Sequence, residues 1–364
     1  MTKLATSLIL QASACALLLA TANPALAQST CPAANPNDYV EDDAALNACL
    51  AAGGIVTLVT GSPGYIVKTG LSMTVANTTL QGATGTRPVI IAHPALNRPM
   101  LMTPINASLT GFTIRDLVFD GNKGMRTHSC VVEREYGFNL RIFGSGWTVE
   151  RVDSDNTLCG TAMEAICNNC NIRNNRVRYS GTPYNIASHP NFVSDGITVL
   201  SCTNGLVHNN EVGNATDVGL VVGPGSNCRV HTNWIWQTAL GQVGLAVAFA
   251  GDHSGSRVDN NFVQALPNML AIGLVVGDHP WNVNGHMANA GLVDYNNIQG
   301  AVILAAIDGI LAGTFQNNIG SDRQGTFPLP NCIPYAYTAG HHGSASLQGG
   351  WAFQTYHNGA CQQQ

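Results

Sequence analysis

A repeat built on asparagine constrains the fold of this chain more than any other feature. Between residues 148 and 320, an Asn pair (Thr-Asn in one case) recurs six times beside a short apolar strand. The second residues of these pairs are Asn175, Asn210, Asn233, Asn261, Asn297 and Asn318. They are separated by 35, 23, 28, 36 and 21 residues. Repeats of roughly 20–50 residues are typical of solenoids, and unequal steps indicate loop insertions on one side.

Short runs rich in β-branched residues lie between the Asn pairs. Residues 196–200, 219–222 and 273–276 are too short for helices and have the composition of buried parallel strands. Asn tolerates left-handed backbone geometry, so it suits a tight bend between strands. Amides stacked on identical bends can also hydrogen-bond from one coil to the next. The repeat therefore predicts an all-β chain folded as a parallel β-helix.

The first 27 residues have the pattern of a secretory signal peptide. Lys3 precedes an apolar run over residues 8–20, and residues 25–27 (Ala-Leu-Ala) form a small-residue cleavage site. We expect the mature chain to begin at Gln28 and to be secreted or periplasmic. No later stretch is long and apolar enough to predict a membrane span.

The cysteine count agrees with an oxidising compartment. Of the eleven cysteines, Cys15 lies in the signal segment, which leaves an even number. Cys31 with Cys49, and Cys332 with Cys361, are expected to clip the two ends of the chain. Four others fall in or near successive turns, where bridges between coils are expected: Cys167, Cys170, Cys202 and Cys228. A zinc site is the alternative interpretation of residues 167–170.

The charge of the chain argues against two classes of partner. Only 10% of the residues are charged and the net charge is −5. The sequence contains no basic patch that would hold nucleic acid or an anionic membrane. We therefore expect neither kind of partner, and we expect a monomer.

The N-terminal segment resembles a known entry into a β-helix. Residues 42–54 predict a short helix with acidic residues at its start and glycines at its end, suited to covering the open end of a solenoid. The stretch DDAALNACLAAGGIVTLVTGSPGYIVKTGLSM is similar to the N-terminal entry of the pectate-lyase-like superfamily, and the resemblance extends loosely over the coils to Gly320. It implies a right-handed, single-stranded parallel β-helix. It is specific for fold and not for chemistry, because that superfamily includes lyases, hydrolases, epimerases and phage adhesins.

Together these features predict four segments. They are a signal peptide (1–27), an N-terminal segment with a capping helix (28–54), the parallel β-helix (55–321) and an irregular C-terminal covering segment (322–364).

Two aspartates begin strands of adjacent predicted coils. Asp195 and Asp217 are 22 residues apart, taken as one coil without insertion, so we expect them side by side at about 4.8 Å with Gln242 stacked third. Such a pair could act as acid and base, or as acid and nucleophile, on a glycosidic bond. Glu164, in the preceding coil, is expected either to face the same groove or to fit the core poorly. The alternative for both aspartates is a turn role, accepting bonds from backbone amides.

The same pair resembles the strand starts of polygalacturonase-type glycoside hydrolases. In that family an Asn-Thr-Asp-Gly-like sequence is followed one coil later by further Asp residues. Asp195 matches the Asp-Gly portion and Asp217 the later acid, which implies catalytic roles for both. Ser194 stands where Thr is usual, position 217 has a single Asp, and no clear Gly-His-Gly or Arg-Ile-Lys motif follows. The substrate-binding residues of that family therefore cannot be assigned to positions in this chain.

Further candidates lie at strand ends and in a charged insertion. Gly-Asp-His occurs at residues 251–253 and 277–279, where it could form turns, assist acid–base chemistry or hold Ca²⁺ with loop carbonyls. The substrate-binding candidates are Gln242, Asp252, His253, Asp278, His279 and Arg134. Other basic residues that could recognise a uronate, or form a solvated loop with Arg134, are Lys123, Arg126 and Arg141. Trp234 and Trp236 are expected either to pack against their surroundings or to stack on a sugar.

Three functions are consistent with these residues. The first is a glycoside hydrolase that acts, without a cofactor, on a polysaccharide or oligosaccharide in a groove along the helix. Its catalytic residues would be Asp195 and Asp217, with help from Glu164. The second is a polysaccharide lyase, which eliminates beside a uronate carboxylate, usually with Ca²⁺ and an Arg or Lys. It ranks lower because no coil shows both an acidic cluster and a basic residue. The third is a non-catalytic carbohydrate-binding or surface protein.

Overall fold

A computed structural model of the protein describes residues 28–105, 109–126, 137–182, 193–247, 251–277, 288–307 and 310–321, and three dipeptides at 346–347, 356–357 and 360–361. These residues form one helix, α1 (Asp43–Ala52), and 31 strands. The strands are β1 (Gln28–Thr30), β2 (Ile55–Leu58), β3 (Tyr65–Val67), β4 (Leu71–Ser72), β5 (Thr79–Gly82), β6 (Val89–Ala92), β7 (Leu101–Met102), β8 (Thr113–Asp120), β9 (Leu140–Ile142), β10 (Thr148–Asp155), β11 (Gly160–Asn168), β12 (Asn171–Arg173), β13 (Arg176–Arg178), β14 (Ser194–Thr203), β15 (Leu206–His208), β16 (Glu211–Gly213), β17 (Val218–Val222), β18 (Arg229–His231), β19 (Trp234–Gln237), β20 (Gly241–Val247), β21 (Arg257–Asp259), β22 (Phe262–Ala265), β23 (Leu270–Val276), β24 (Ala288–Asp294), β25 (Asn297–Gln299), β26 (Ile303–Ile307), β27 (Ile310–Gln316), β28 (Ile319–Ser321), β29 (Ser346–Leu347), β30 (Tyr356–His357) and β31 (Ala360–Cys361). Among the described residues, no helix has the length and apolar character needed to cross a membrane.

From β11 onward, each coil repeats three strands in the same order. In one coil, β14 belongs to a nine-stranded parallel sheet, whereas β15 and β16 belong to a 20-stranded sheet. Each pairs in parallel with its counterpart in the next coil: β17, β18 and β19. We name the nine-stranded sheet (β4, β7, β9, β11, β14, β17, β20, β23 and β26) the groove sheet. The row of β13, β16, β19, β22, β25 and β28 is named the third face. This architecture is a parallel β-helix, as predicted.

The repeated asparagines form a continuous buried ladder. Its members are Asn175, Asn210, Asn233, Asn261, Asn296 and Asn318. At each step, the backbone N–H and the side-chain Nδ2 of one member both donate to Oδ1 of the next, at 2.9–3.1 Å. Nδ2 also donates to a backbone carbonyl of the previous coil. The residue before each member has a positive φ, which makes the bend. The predicted stacking of amides is confirmed.

One member of the ladder differs from the sequence-based alignment. Asn296 is the ladder residue, whereas Asn297 begins β25 and is half-buried. Tyr295, which precedes the ladder residue, takes the left-handed conformation, with φ 54°. Because a tyrosine occupies this bend, the Asn pair at residues 296–297 begins at the ladder position, one residue later than the pairs of the other coils.

Helix α1 covers the first coil, as predicted. Leu46 and Leu50 are buried in the core, which runs along the inside of the coils. The Asp43 carboxylate accepts hydrogen bonds from the backbone N–H groups of Lys68 and Thr69, so the helix is also tied to the strand region beside it.

The described disulfides agree with the prediction in two cases and differ in a third. Cys31–Cys49 ties α1 to the preceding segment, and Cys202–Cys228 joins two consecutive coils. Cys167–Cys170 closes a bridge within one turn, so neither a bridge between coils nor a zinc site is formed there. Cys332 lies outside the described residues.

Candidate functional site

The outer surface of the groove sheet carries a groove of about 510 Å³. It crosses β11, β14 and β17 of three consecutive coils, and Phe138, beside β9, adds a contribution from the coil before them. Three carboxylates line it, those of Glu164, Asp195 and Asp217. The other lining residues include Phe138, Thr161, Thr198, Leu200, Val218, Val221 and Pro224. The three acids selected from the sequence therefore line one groove.

Two donors hold the carboxylate of Asp195. The backbone N–H of Val218, in the next coil, donates to Oδ1 at 3.1 Å. The Thr198 hydroxyl donates to Oδ2 at 2.7 Å. Hydrogen bonds to the ionised form stabilise its negative charge and fix its orientation. Asp195 thus has the setting expected of a carboxylate that accepts a proton or attacks a substrate carbon.

Asp217 lies one residue out of register with Asp195. The pairing of β14 with β17 places Val218 opposite Asp195, and the Asp217 N–H donates to the Ser194 carbonyl at 3.1 Å. The two Asp Cα atoms are therefore separated both by the spacing between coils and by the rise of one residue along the strand, which together give roughly 6 Å. The expectation that the two aspartates stack in register is wrong by one residue, although both line the groove.

Gln242 on β20 neighbours Asp217, because its backbone N–H donates to the Asp217 carbonyl at 3.2 Å, but it is not among the described residues that line the groove. Beyond it, the outward side chains of the groove sheet become apolar. Two register rows contain Val218, Val243, Ile272 and Ile303, and Val221, Ala246, Val275 and Ala306. The groove sheet is therefore polar from β11 to the start of β17 and apolar from there to β26.

An arginine from the preceding coil pairs with Glu164. Arg141 on β9 is the register partner of Glu164, and its Nε donates to Oε1 at 2.7 Å. The two side chains are only 13% and 9% exposed. The guanidinium also lies 5.6 Å and 5.3 Å from the ring centroids of Phe138 and Phe143. A cation from the neighbouring coil therefore lies beside the acidic cluster.

Two other basic candidates are bonded to the backbone. Lys123 donates to the carbonyls of Tyr179 and Gly181, and burial lowers the pKa of its ammonium group. Arg126 donates to the Leu96 carbonyl at 2.7 Å, and burial lowers its pKa to about 10. These contacts anchor the segment after β8, so the solvated-loop interpretation is wrong for both residues.

The Gly-Asp-His candidates that are described lie away from the groove lining. Asp252 is exposed, and its Oδ1 accepts bonds from the N–H and hydroxyl of Ser254 in its own turn. His253 is only 1% exposed, and its Nε2 has no hydrogen-bond partner among the described residues. Asp278, His279 and Arg134 lie outside the described residues. In the described part of the chain, no three His, Cys, Asp or Glu side chains are grouped so that they could hold a metal ion.

The burial of His253 predicts a loss of stability in acid. Burial lowers its pKa from 6.5 to about 4, so it stays neutral in the folded protein while the unfolded chain binds a proton. Its contribution is therefore complete above pH 6.5 and is lost as the pH falls toward 4, by up to about 3 kcal/mol. We expect the free energy of unfolding of His253→Gln to fall less steeply than that of the natural protein over this range, as measured by urea denaturation. Parallel pH profiles would contradict this assignment.

The fold is shared with solved structures of low sequence identity. The catalytic unit of an alpha-1,3-glucanase from Streptomyces thermodiastaticus superposes with a TM-score of 0.51 at 16% identity, over 89% of this chain and 69% of that one. The A-module of a mannuronan C-5 epimerase from Azotobacter vinelandii gives 0.48 at 14% identity, covering 87% and 97%. A surface adhesin of Streptococcus pneumoniae gives 0.45 at 13% identity, covering 81% and 91%.

These likenesses concern the fold. No protein-family profile matches the chain, and no curated protein sequence matches it. The chain shares a parallel β-helix fold with the glucanase, as its N-terminal sequence implied.

Proposed function

We propose that this chain is an exported carbohydrate-active enzyme that hydrolyses glycosidic bonds of a polysaccharide or oligosaccharide bound in the groove. The observation that carries the proposal is the position of Asp195, Asp217 and Glu164 on one groove surface, contributed by three consecutive coils. Disulfides such as Cys202–Cys228 fit an oxidising compartment outside the cytoplasm. The glucanase that shares the fold acts on an alpha-1,3-glucan, which supports a polysaccharide as the substrate class.

The three carboxylates differ in their surroundings, and this suggests different roles. The Asp195 carboxylate accepts hydrogen bonds from the Thr198 hydroxyl and the Val218 N–H, which orient it, so we assign it the base or nucleophile role. Asp217 shares the groove lining with the apolar residues Val218 and Val221, and we assign it protonation of the leaving oxygen. Glu164 is engaged by Arg141, so we expect it to orient the substrate and the arginine and not to transfer a proton. No cofactor is needed for this chemistry.

A digest assay with two readouts tests the proposal. The mature protein is incubated with neutral and uronate polysaccharides, and each digest is assayed for new reducing ends and for the ultraviolet absorbance of an unsaturated uronate. Hydrolysis predicts reducing ends without that absorbance. Absence of both signals on all substrates would contradict an enzymatic role and favour a binding protein.

One observation favours a second candidate, a polysaccharide lyase. Arg141 places a cation beside Glu164, and lyase chemistry requires stabilisation of negative charge near a uronate carboxylate. In that case the digest shows reducing ends together with ultraviolet absorbance, and Arg141→Lys impairs turnover of uronate substrates. Ca²⁺ would enter only in this alternative. The described residues do not themselves gather three side chains that would hold it.

A further inference from the structure

The third face carries an aromatic surface that lies outside the groove lining. Trp234 and Trp236 are on β19, Tyr179 follows β13, and Phe262 on β22 is the register partner of Trp234. Trp234 is 42% exposed and Tyr179 is 43% exposed. The ring of Trp236 lies between them, with its centroid 6.4 Å from the centroid of each. We name these four side chains the aromatic platform.

The ring of Trp236, at the centre of the platform, is held in place by neighbouring residues of the protein. The indole of Trp236 lies over Gly213, where a Cβ atom would collide with it. Its Nε1 donates to Oε1 of Glu211 at 3.0 Å, which fixes the direction of the ring. Tyr179 is held by the Arg178 guanidinium, 5.7 Å from its ring centroid. Side chains that are already ordered lose little freedom when they bind a ligand.

Neutral amides continue the two rows of the platform. Asn297 follows Phe262 on the row of Trp234, and Gln264 and then Gln299 follow on the row of Trp236. Gln264 is exposed, and the other two are half-buried. An amide both donates and accepts hydrogen bonds, so it can pair with hydroxyl groups in either orientation.

The charges nearby do not favour an anionic polymer. Arg176 and Arg178 precede the platform on the same two rows, and they are paired with Asp153 and Asp155 respectively. Asp153 also pairs with Arg87, and Glu211 lies on the row between Arg176 and Trp234. These three cations and three anions balance, so this end of the face offers little attraction for a uronate chain. Aromatic faces that stack on the C–H faces of sugar rings, flanked by neutral amides, match an uncharged carbohydrate.

We propose that the aromatic platform is a second carbohydrate-binding site, which binds a neutral polysaccharide laid along the helix axis. Successive coils are about 4.8 Å apart, close to the length of one sugar unit, so Trp234, Phe262 and Asn297 contact consecutive units. Gly213 precedes Asp217 by four residues, so the platform lies around one corner of the coil from the groove. The site does not depend on whether the groove is catalytic.

Affinity electrophoresis tests this site separately from catalysis. The mature protein with Asp195→Asn, which prevents digestion, is run in native gels containing soluble xyloglucan, soluble starch or, as an anionic probe, polygalacturonate. We expect at least one neutral polysaccharide to retard migration, and polygalacturonate to do so less. Trp234→Ala should raise the apparent Kd about tenfold, because it removes an exposed stacking surface.

Two further variants control the experiment. Leu206→Ala removes a side chain of similar exposure, 41%, from the neighbouring face, so it should leave the retardation unchanged. Trp234→Phe should recover part of the binding if ring stacking is the cause. The proposal is overturned if neither neutral polysaccharide retards the protein, if polygalacturonate retards it more, or if Trp234→Ala migrates like its parent.

Discussion

Replacing Asn296 by Ala should lower the free energy of unfolding by about 3–5 kcal/mol, because it breaks the buried ladder. Oδ1 of Asn296 accepts bonds from the backbone N–H and the side-chain Nδ2 of Asn261. Its own Nδ2 donates to the Val258 carbonyl and to Oδ1 of Asn318. The substitution leaves several of these partner groups buried without a bond, and each such group costs about 1–3 kcal/mol.

The adjacent residue provides a matched control. Asn297 is half-buried, and its Oδ1 accepts one long bond of 3.4 Å, from Gln299. Asn297→Ala should therefore change the free energy of unfolding by less than about 1 kcal/mol. Urea denaturation followed by circular dichroism measures both variants. If both variants lose the same free energy of unfolding, or if Asn297→Ala loses more, the assignment of Asn296 to the ladder is contradicted.

The comparison of these two residues shows which part of the fold the sequence could predict. The recurrence of Asn predicted a β-helix with stacked amides. Asn suits a tight bend, and its side chain can bond buried backbone groups that have no other partner. It did not identify the register near residue 296. The left-handed position is filled by Tyr295 there and by Thr232 in another coil, so backbone conformation is more regular than residue type.

The candidate site was likewise predictable only in part: its location could be predicted, but the register of its residues could not. In this part of the helix a coil without insertion contains 23 residues, as the bonds Asn210–Asn233 and Arg141–Glu164 show. The 22-residue spacing of Asp195 and Asp217 therefore identified the groove but placed the second acid one residue out of register. The 23-residue spacing of Arg141 and Glu164 was also present in the sequence. It carries little signal, because Arg141 closely follows the charged insertion and its residue type alone does not set it apart from that insertion.

Other features of the site had no signal in the sequence. Thr198 donates to Asp195 from three residues along the same strand, which regular alternation of side chains would not bring together. A separate irregularity lies further along β14, at Leu200, where the register with β11 shifts between Ala165 and Ile166. Such local departures are decided by packing between coils, and a single strand sequence does not contain that information.

Replacing Asp195 by Asn should abolish nearly all activity without unfolding the protein. If Asp195 is the base or nucleophile, the amide cannot take a proton or attack, and the turnover number should fall about 10²–10⁴-fold. The shape is preserved, because the amide oxygen can still accept a bond from Val218 N–H and its NH₂ group can face the Thr198 hydroxyl. Asp217→Asn should lose activity to a similar degree. Initial rates of reducing-end release, with circular dichroism for folding, measure both effects.

The double variant separates a catalytic pair from two independent structural residues. Groups that act as a unit in one step give non-additive losses, so Asp195→Asn with Asp217→Asn should be scarcely slower than either single variant. Asp116→Asn is the control, since this acid pairs with Arg151 on the outside of the 20-stranded sheet and should retain full activity. Losses that multiply, or activity retained by Asp195→Asn, would remove the pair from the mechanism. The groove would then be better explained by Arg141 and Glu164, whose opposite charges suit uronate recognition more than hydrolysis.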